Sequence, residues 1–255
     1  MKAAILTDTT KCNNCHECVA ACKKQNKLPV DLPRRWDLDD GLSAENWTSV
    51  VEGPEHVFAR KQCRHCLEPA CASACPVGAL QRTKLGAVVY DANKCMGCRY
   101  CMMACPYGIP RYEWQAAVPY VRKCILCYDR IAEGRQPACT EACPTKATIF
   151  GDRDQLLAAA RERIGKDPGK YVNKIWGEHD AGGTSVLYLS SVDLSFLSAG
   201  RAIGAGPLPK TTTTAMEAVP FAFTVVMACM AGLSWIIGRR MTIAKDESGK
   251  DESHE

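Results

Sequence analysis

Short apolar runs alternate with polar, turn-rich stretches over most of this 255-residue chain. One segment has a helical period, because Leu156, Leu157 and Ala160 follow one another at helical spacing after Asp152, which we predict to be the N-cap. A mixture of both element types predicts an α+β fold. Six runs have the length and composition typical of strands: residues 3–6, 47–51, 57–60, 88–90, 147–150 and 186–192.

A longer apolar run occupies residues 218–238 and contains no charged side chain. As a helix it would be about 30 Å long, which is the thickness of the hydrocarbon core of a bilayer. Pro220 lies in its predicted first turn, where proline is tolerated, and Trp235 lies near its far end. A buried core helix is the alternative. The charged tail that follows at 239–255 favours a single C-terminal transmembrane helix.

The charges beside this segment predict its orientation. By the positive-inside tendency, the C-terminus is expected to be cytoplasmic and the preceding domain periplasmic. Residues 1–11 contain no apolar stretch long enough for a signal peptide, so we expect the domain to be exported with a signal-bearing partner. Basic residues follow the segment at Arg239, Arg240, Lys245 and Lys250, and precede it at Arg201 and Lys210.

Sixteen of the 17 cysteines fall into four groups of four, and Cys229 is left over. Disulfide frameworks belong to small secreted domains and do not suit this pattern. Structural zinc is a further alternative, but the first and third groups are too compact to close on one ion. The groups are Cys12, Cys15, Cys18 and Cys22; Cys63, Cys66, Cys71 and Cys75; Cys95, Cys98, Cys101 and Cys105; and Cys124, Cys127, Cys139 and Cys143.

The third group carries the most specific spacing in the chain. Cys95, Cys98 and Cys101 are separated by two residues each, and Cys105 follows after three more, directly before a proline. In ferredoxins with this spacing, three thiolates hold one [4Fe–4S] cluster and the fourth ligates another. The first group has the same spacing but lacks the proline after Cys22. The pattern predicts four [4Fe–4S] clusters bound by all sixteen cysteines.

The four groups form an internal repeat. Groups one and three share K-C-x2-C-x2-C-x2-A-C, and groups two and four share P-A-C-x2-A-C-P. This alternation predicts tandem two-cluster ferredoxin-like units with insertions. The expected organisation is a four-cluster domain at 1–165 (inner unit 61–115, outer unit 1–30 with 116–150, insertion 31–60), an extension and tether at 166–217, the transmembrane helix at 218–238 and the tail at 239–255.

The formal net charge of +4 does not indicate a nucleic-acid partner. A [4Fe–4S] cluster with its four thiolates is dianionic, so four of them reverse the sign of the total. We interpret the basic residues near the motifs as compensation for this buried charge, which would also raise reduction potentials. For any single one, a solvated surface position is the alternative. They are Lys11, Lys23, Lys24, Arg60, Lys61, Arg64, Lys94, Arg99, Arg122 and Lys123.

The chain resembles the iron–sulfur (beta) subunits of membrane-bound respiratory oxidoreductases. The resemblance rests on the order of the four motifs, on L-S-A-x-x-W-T at 42–48, on G-G-T-x-V at 182–186 and on the C-terminal helix. It is strongest to the periplasmic type of formate dehydrogenase. The four-cluster membrane subunit of nickel–iron hydrogenases is the alternative, although that subunit usually carries its own twin-arginine signal.

The resemblance implies a non-catalytic subunit that relays electrons between a molybdopterin-type catalytic subunit and a membrane cytochrome b with its quinone pool. No nucleophile–base pair or phosphate-binding loop is evident. A catalytic iron–sulfur enzyme would need a three-cysteine site, whereas a zinc-binding membrane adaptor would lack labile sulfide. The ligand sets that the resemblance implies are Cys12, Cys15, Cys18 and Cys143; Cys22, Cys124, Cys127 and Cys139; Cys63, Cys66, Cys71 and Cys105; and Cys75, Cys95, Cys98 and Cys101.

Overall fold

The structure, a computed structural model, describes residues 2–29, 40–198 and 203–251. Residues 31–39 of the predicted insertion, 199–202 of the predicted tether and 252–255 of the tail lie outside the described residues. Contacts divide the chain into two compact units, residues 1–209 and residues 210–255.

The described residues form nine strands and seven α-helices. All six predicted runs coincide with strands, whereas the short strands β4, β6 and β7 were not predicted. The strands are β1 (Ala3–Asp8), β2 (Thr48–Glu52), β3 (Phe58–Gln62), β4 (Leu80–Arg82), β5 (Val88–Tyr90), β6 (Arg111–Tyr112), β7 (Val121–Arg122), β8 (Thr148–Asp152) and β9 (Val186–Leu189). The helices are α1 (Glu17–Gln25), α2 (Ala70–Ser73), α3 (Tyr100–Ala104), α4 (Tyr128–Ala132), α5 (Ala138–Glu141), α6 (Arg153–Lys166) and α7 (Leu208–Asp251).

Strand β1 lies in the middle of a three-stranded sheet, antiparallel to β8 and parallel to β9. Every residue of β1 is buried because both faces of this sheet are covered. Ala4 and Leu6 pack with Leu156 of α6 on one face, and α6 is capped by Asp152 as predicted. Ala3 and Ile5 belong to the core on the other face, which also contains cysteines.

The remaining strands form three antiparallel hairpins, β2–β3, β4–β5 and β6–β7. Helix α1, from the first cysteine motif, packs against α5, from the fourth. Helix α2, from the second motif, packs against α3, from the third. The fold is therefore the expected mixture of helices and strands with a ferredoxin-like core, and chain-distant motifs meet in it.

Helix α7 is the one helix in the described ranges that is long and apolar enough to cross a membrane, over Leu208–Ile243. It begins earlier than predicted, so residues 208–217 are helical where we expected a loop. Pro220 consequently lies inside the helix and not in its first turn. Its large apolar side chains are exposed, including Phe221, Met230 and Ile237. Threonine hydroxyls donate back to the helix, as Thr224 Oγ1 does to the Phe221 carbonyl at 2.8 Å.

Candidate metal centres

The first and third motifs have the same backbone conformation between their cysteines. Asn14 and Gly97 occupy one matching position, with φ of 58° and 75°, and His16 and Arg99 occupy the next, with φ of 59° and 62°. Left-handed residues on both sides of the middle cysteine turn the chain sharply. Three thiols from one short loop can thereby face a common centre.

A second turn is shared by the three Cys-Pro pairs. The third residue after the cysteine has a positive φ in each case: Gly78 (61°), Gly108 (60°) and Lys146 (53°). This turn directs backbone N–H groups toward sulfur, as Ala79 N donates to Cys75 Sγ at 3.2 Å. Around Cys143, such N–H groups outweigh burial and hold the pKa of the thiol below its ordinary value. Donors of this kind stabilise a thiolate ligand.

Cys22 departs from this arrangement because no proline follows it. Helix α1 continues past Cys22 to Gln25. The side chain of Asn26 supplies a donor instead, with Nδ2 at 2.8 Å from the Cys22 carbonyl and at 3.6 Å from Cys22 Sγ. Sequence reasoning missed Asn26, and the absent proline was its only signal.

The sixteen predicted ligands lie in the described residues and interact electrostatically in local groups. The thiol of Cys12 interacts with those of Cys15 and Cys143, although Cys143 belongs to the fourth motif. Cys18 interacts with Cys12 and Cys15. The other groups appear around Cys124, with Cys22, Cys127 and Cys139; around Cys66, with Cys63, Cys71 and Cys105; and around Cys101, with Cys75, Cys95 and Cys98.

Two of these groups line cavities of suitable chemistry for a cluster. Cys75, Cys95, Cys98 and Cys101 line one cavity. Cys22, Cys124, Cys127 and Cys139 line another. Within the described ranges, no three His, Cys, Asp or Glu side chains are close enough to share a single ion. Each set offers four thiols, which is the donor chemistry that [4Fe–4S] clusters require.

Burial sets the protonation of the free thiols. It raises the pKa of Cys18 and of Cys101 to about 11 and that of Cys71 to about 12. Protons must therefore leave these thiols when iron binds.

Four of the ten basic residues assigned to charge compensation are buried: Arg60, Lys61, Arg64 and Lys123. Lys61 has a carboxylate partner, because its ammonium pairs with Asp40 at 2.8 Å. The other three interact with thiols, Arg64 with Cys66, Lys123 with Cys71 and Arg60 with several cysteines.

Thiols of different groups also interact electrostatically, one pair between each group and the next. Cys18 interacts with Cys139, Cys124 with Cys63, and Cys71 with Cys101. The four groups therefore follow one another in a row, although the order of motifs along the chain is different.

Comparison with known proteins agrees with these features. A family model described as a 4Fe-4S dicluster domain matches residues 54–153. The chain is 36% identical to the hydrogenase-2 operon protein HybA of Shigella flexneri over 229 residues, which cover 74% of this chain and 70% of that protein. It is 39% identical to a subunit of the anaerobic dimethyl sulfoxide reductase of Escherichia coli over 158 residues, 58% of this chain and 73% of that protein. It is 34% identical to the formate dehydrogenase-O iron–sulfur subunit of Escherichia coli over 201 residues, 74% of this chain and 66% of that protein.

The fold and the cysteine motifs define an iron–sulfur protein of the ferredoxin-like class. Within that class, the protein belongs to the iron–sulfur electron-transfer subunits of respiratory oxidoreductases.

Proposed function

We propose that this chain relays electrons through four [4Fe–4S] clusters, between a catalytic oxidoreductase subunit and a membrane cytochrome b that reduces or oxidises quinone. Each ligand set combines cysteines from two motifs. The first is Cys12, Cys15, Cys18 and Cys143; the second is Cys22, Cys124, Cys127 and Cys139; the third is Cys63, Cys66, Cys71 and Cys105; and the fourth is Cys75, Cys95, Cys98 and Cys101.

The observation that carries the proposal is the grouping of the thiols. In every set, one thiol interacts electrostatically with the other three members, and in the first set this thiol is Cys12. The second and fourth sets also line cavities. The packing of α1 on α5 and of α2 on α3 supports the same exchange of ligands between motifs.

Each bound cluster would supply one site that accepts and returns an electron. The residues of this chain supply the rest: thiolates that hold iron, N–H groups that donate to sulfur, and buried cations. Burial excludes water from the middle of the row, where Cys63, Cys105 and Cys124 are all buried. A low local dielectric makes nearby charges more effective in setting the potential.

Both ends of the row approach the surface. Cys15 of the first set is exposed. Beside the fourth set, Met96, Tyr100 and Met103 are 65%, 57% and 80% exposed. Electrons can therefore enter at one end and leave at the other, where partner subunits would cover these side chains.

Two candidates remain for the catalytic partner. The motifs at 42–48 and 182–186, outside the cysteine groups, favour a molybdopterin-type, formate dehydrogenase-like subunit. A nickel–iron hydrogenase is the second candidate, because the hydrogenase-2 operon protein aligns over 229 residues and the formate dehydrogenase-O subunit over 201. Gentle solubilisation of the membranes and metal analysis of the co-purified complex separate them. Molybdenum or tungsten supports the first candidate, and nickel supports the second.

Cluster content tests the relay itself. The full chain, purified anaerobically, should contain about 16 iron and about 16 labile sulfide, from four clusters of four. Reduction should produce the paramagnetic signals of interacting [4Fe–4S] centres. Zinc without labile sulfide would refute the proposal.

For the membrane, we propose that α7 spans it once, with the cluster domain in the periplasm and the C-terminus in the cytoplasm. The exposed apolar side chains of α7 and the basic residues that follow its apolar run at 218–238 support this topology. Protease added to spheroplasts should then digest the cluster domain and spare the C-terminal tail. Digestion of the tail alone would reverse the orientation.

A further inference from the structure

Backbone contacts fix the position of Arg60 in the interior of the unit at 1–209. It lies in β3, opposite Val50 of β2, and its carbonyl accepts a hydrogen bond from the Tyr188 hydroxyl at 2.7 Å. Strand β3 also contacts the turn at Thr9–Lys11, directly before the first cysteine motif. The side chain is 2% exposed, and its guanidinium is directed into the interior.

The guanidinium has no oxygen acceptor among the described residues. Its Nε, Nη1 and Nη2 atoms are all buried without an oxygen partner. Its strongest electrostatic interactions are instead with the sulfur atoms of Cys139 and Cys18.

Cys18 and Cys139 belong to different ligand sets, the first and the second. The positive charge of Arg60 also acts on Cys12 of the first set and on Cys22 and Cys127 of the second. Arg60 therefore stands between two sets and interacts with both.

Two other buried cations of this unit are neutralised or solvated by oxygen. Lys61 pairs with Asp40, and Arg153 donates to the carbonyls of Thr184 and Glu178 at 2.9 and 3.0 Å. An isolated buried charge is very costly, so a guanidinium without oxygen partners requires anions nearby. Thiolate-bound clusters on both sides would supply them.

Building on the proposed relay, we propose that Arg60 sets the reduction potentials of the first two clusters together. Reduction adds negative charge to a cluster, and a nearby cation stabilises the reduced form more than the oxidised form. In a buried site this attraction is weakly screened. Because Arg60 faces both sets, its loss should lower both potentials, while the third and fourth clusters keep theirs.

The test is a redox titration of the full chain, followed by electron paramagnetic resonance, with Arg60→Gln. Two of the four clusters should become at least tenfold harder to reduce, a shift of about 59 mV for a one-electron couple. Arg60→Lys keeps the charge and should retain most of the potential. Unchanged potentials in Arg60→Gln, or an equal shift of all four clusters, would overturn the proposal.

Two matched variants give the comparison. Arg161→Gln removes the same charge from an exposed position on α6 and should move no cluster. Arg64→Gln removes a buried cation beside Cys66 of the third set, and should lower the potential there while the first two clusters stay unchanged. If Arg64→Gln shifted the same clusters as Arg60→Gln, Arg60 would have no local role.

If Arg60→Gln loses clusters, the iron content of the purified chain still tests the proposal. Loss of about half of the 16 iron atoms, with the signals of the third and fourth clusters retained, supports the proposal. Equal loss from all four clusters in both Arg60→Gln and Arg60→Lys contradicts it. A wild-type chain without labile sulfide would instead refute the relay itself.

Discussion

At the scale of single residues, sulfur chemistry depends on neighbours that are remote in sequence. Cys143 stands near Cys12 because α1 packs against α5, and Asn26 replaces the amides that a Cys-Pro turn supplies elsewhere. A ligand therefore has to be assigned by its spatial set and not by its motif.

Double substitutions test the assignment of Cys105. We expect Cys66→Ala and Cys105→Ala each to remove the third cluster, so the double variant should lose no more iron than either single one. Cys101→Ala combined with Cys66→Ala should lose about twice as much, because two clusters are affected. Iron and sulfide counts per chain measure this. The opposite pattern, with Cys105 additive to Cys66 and not to Cys101, would place Cys105 in the fourth set.

Asp40 provides a prediction on stability. It accepts from Lys61 at 2.8 Å and from Arg111 at 2.5 Å, and all three side chains are largely buried. Asp40→Asn leaves two buried cations without their anion and should lower the free energy of unfolding by about 3 kcal/mol. Urea unfolding followed by tryptophan fluorescence measures this. A loss under 0.5 kcal/mol, typical of a surface pair, would contradict it.

The same carboxylate predicts a pH dependence. Burial raises the pKa of Asp40, but the hydrogen bond and charge of Lys61 outweigh it and hold the pKa below its ordinary value. A carboxyl group whose pKa is lower in the folded state than in the unfolded state stabilises the fold above the unfolded pKa. This contribution to the free energy of unfolding is lost as the pH falls. The gap between wild type and Asp40→Asn should thus be constant above about pH 5 and shrink below about pH 4.

At the scale of elements, the residue that follows the last cysteine of a motif decides where the short helix of that motif ends. Helix α3 ends at Ala104, where Cys105 and a proline follow, whereas α1 continues through Cys22 to Gln25. Proline removes an N–H and clashes with the preceding turn, so its presence or absence decides where a helix can continue.

Introducing a proline directly after Cys22 should therefore destabilise α1. Lys23→Pro removes the hydrogen bond to the Val19 carbonyl and crowds the preceding turn, at a cost of about 3 kcal/mol. Lys23→Ala keeps the helix and serves as the control. The urea midpoint for loss of cluster absorbance should fall in the proline variant alone. A midpoint that rises would mean that α1 ends before Lys23 in solution.

At the scale of the whole molecule, the two units carry different tasks. Residues 1–209 contain all sixteen grouped cysteines, and the described residues of the second unit, 210–251, belong to α7 with its exposed apolar surface. An apolar surface of this extent in contact with water would be unfavourable.

Truncation separates these tasks. A chain that ends at Pro209, expressed without partner subunits, should appear in the soluble fraction with about 16 iron atoms. The full chain should remain in the membrane pellet after a salt wash. Both fractions are measured by immunoblotting and metal analysis. A truncated chain that stays in the pellet would show that the cluster unit binds the membrane by itself.

Local sequence patterns are enough to predict the cluster ligands and most secondary structure elements of this protein. Cysteine spacing predicted [4Fe–4S] ligands, apolar runs predicted six strands and the long C-terminal helix, and Asp152 predicted the start of α6. These features depend on neighbours within a few residues, so the local pattern contains the information.

Contacts between side chains that are distant in the sequence could not be predicted in this way, because they depend on the folded chain. The row of thiol groups, the pairing of Lys61 with Asp40 and the burial of Arg60 between Cys18 and Cys139 all depend on contacts between distant segments. A basic residue beside a motif has the same local sequence whether it faces solvent, a carboxylate or sulfur. Packing of β3 against β2 and against the turn before the first motif is what brings Arg60 to sulfur.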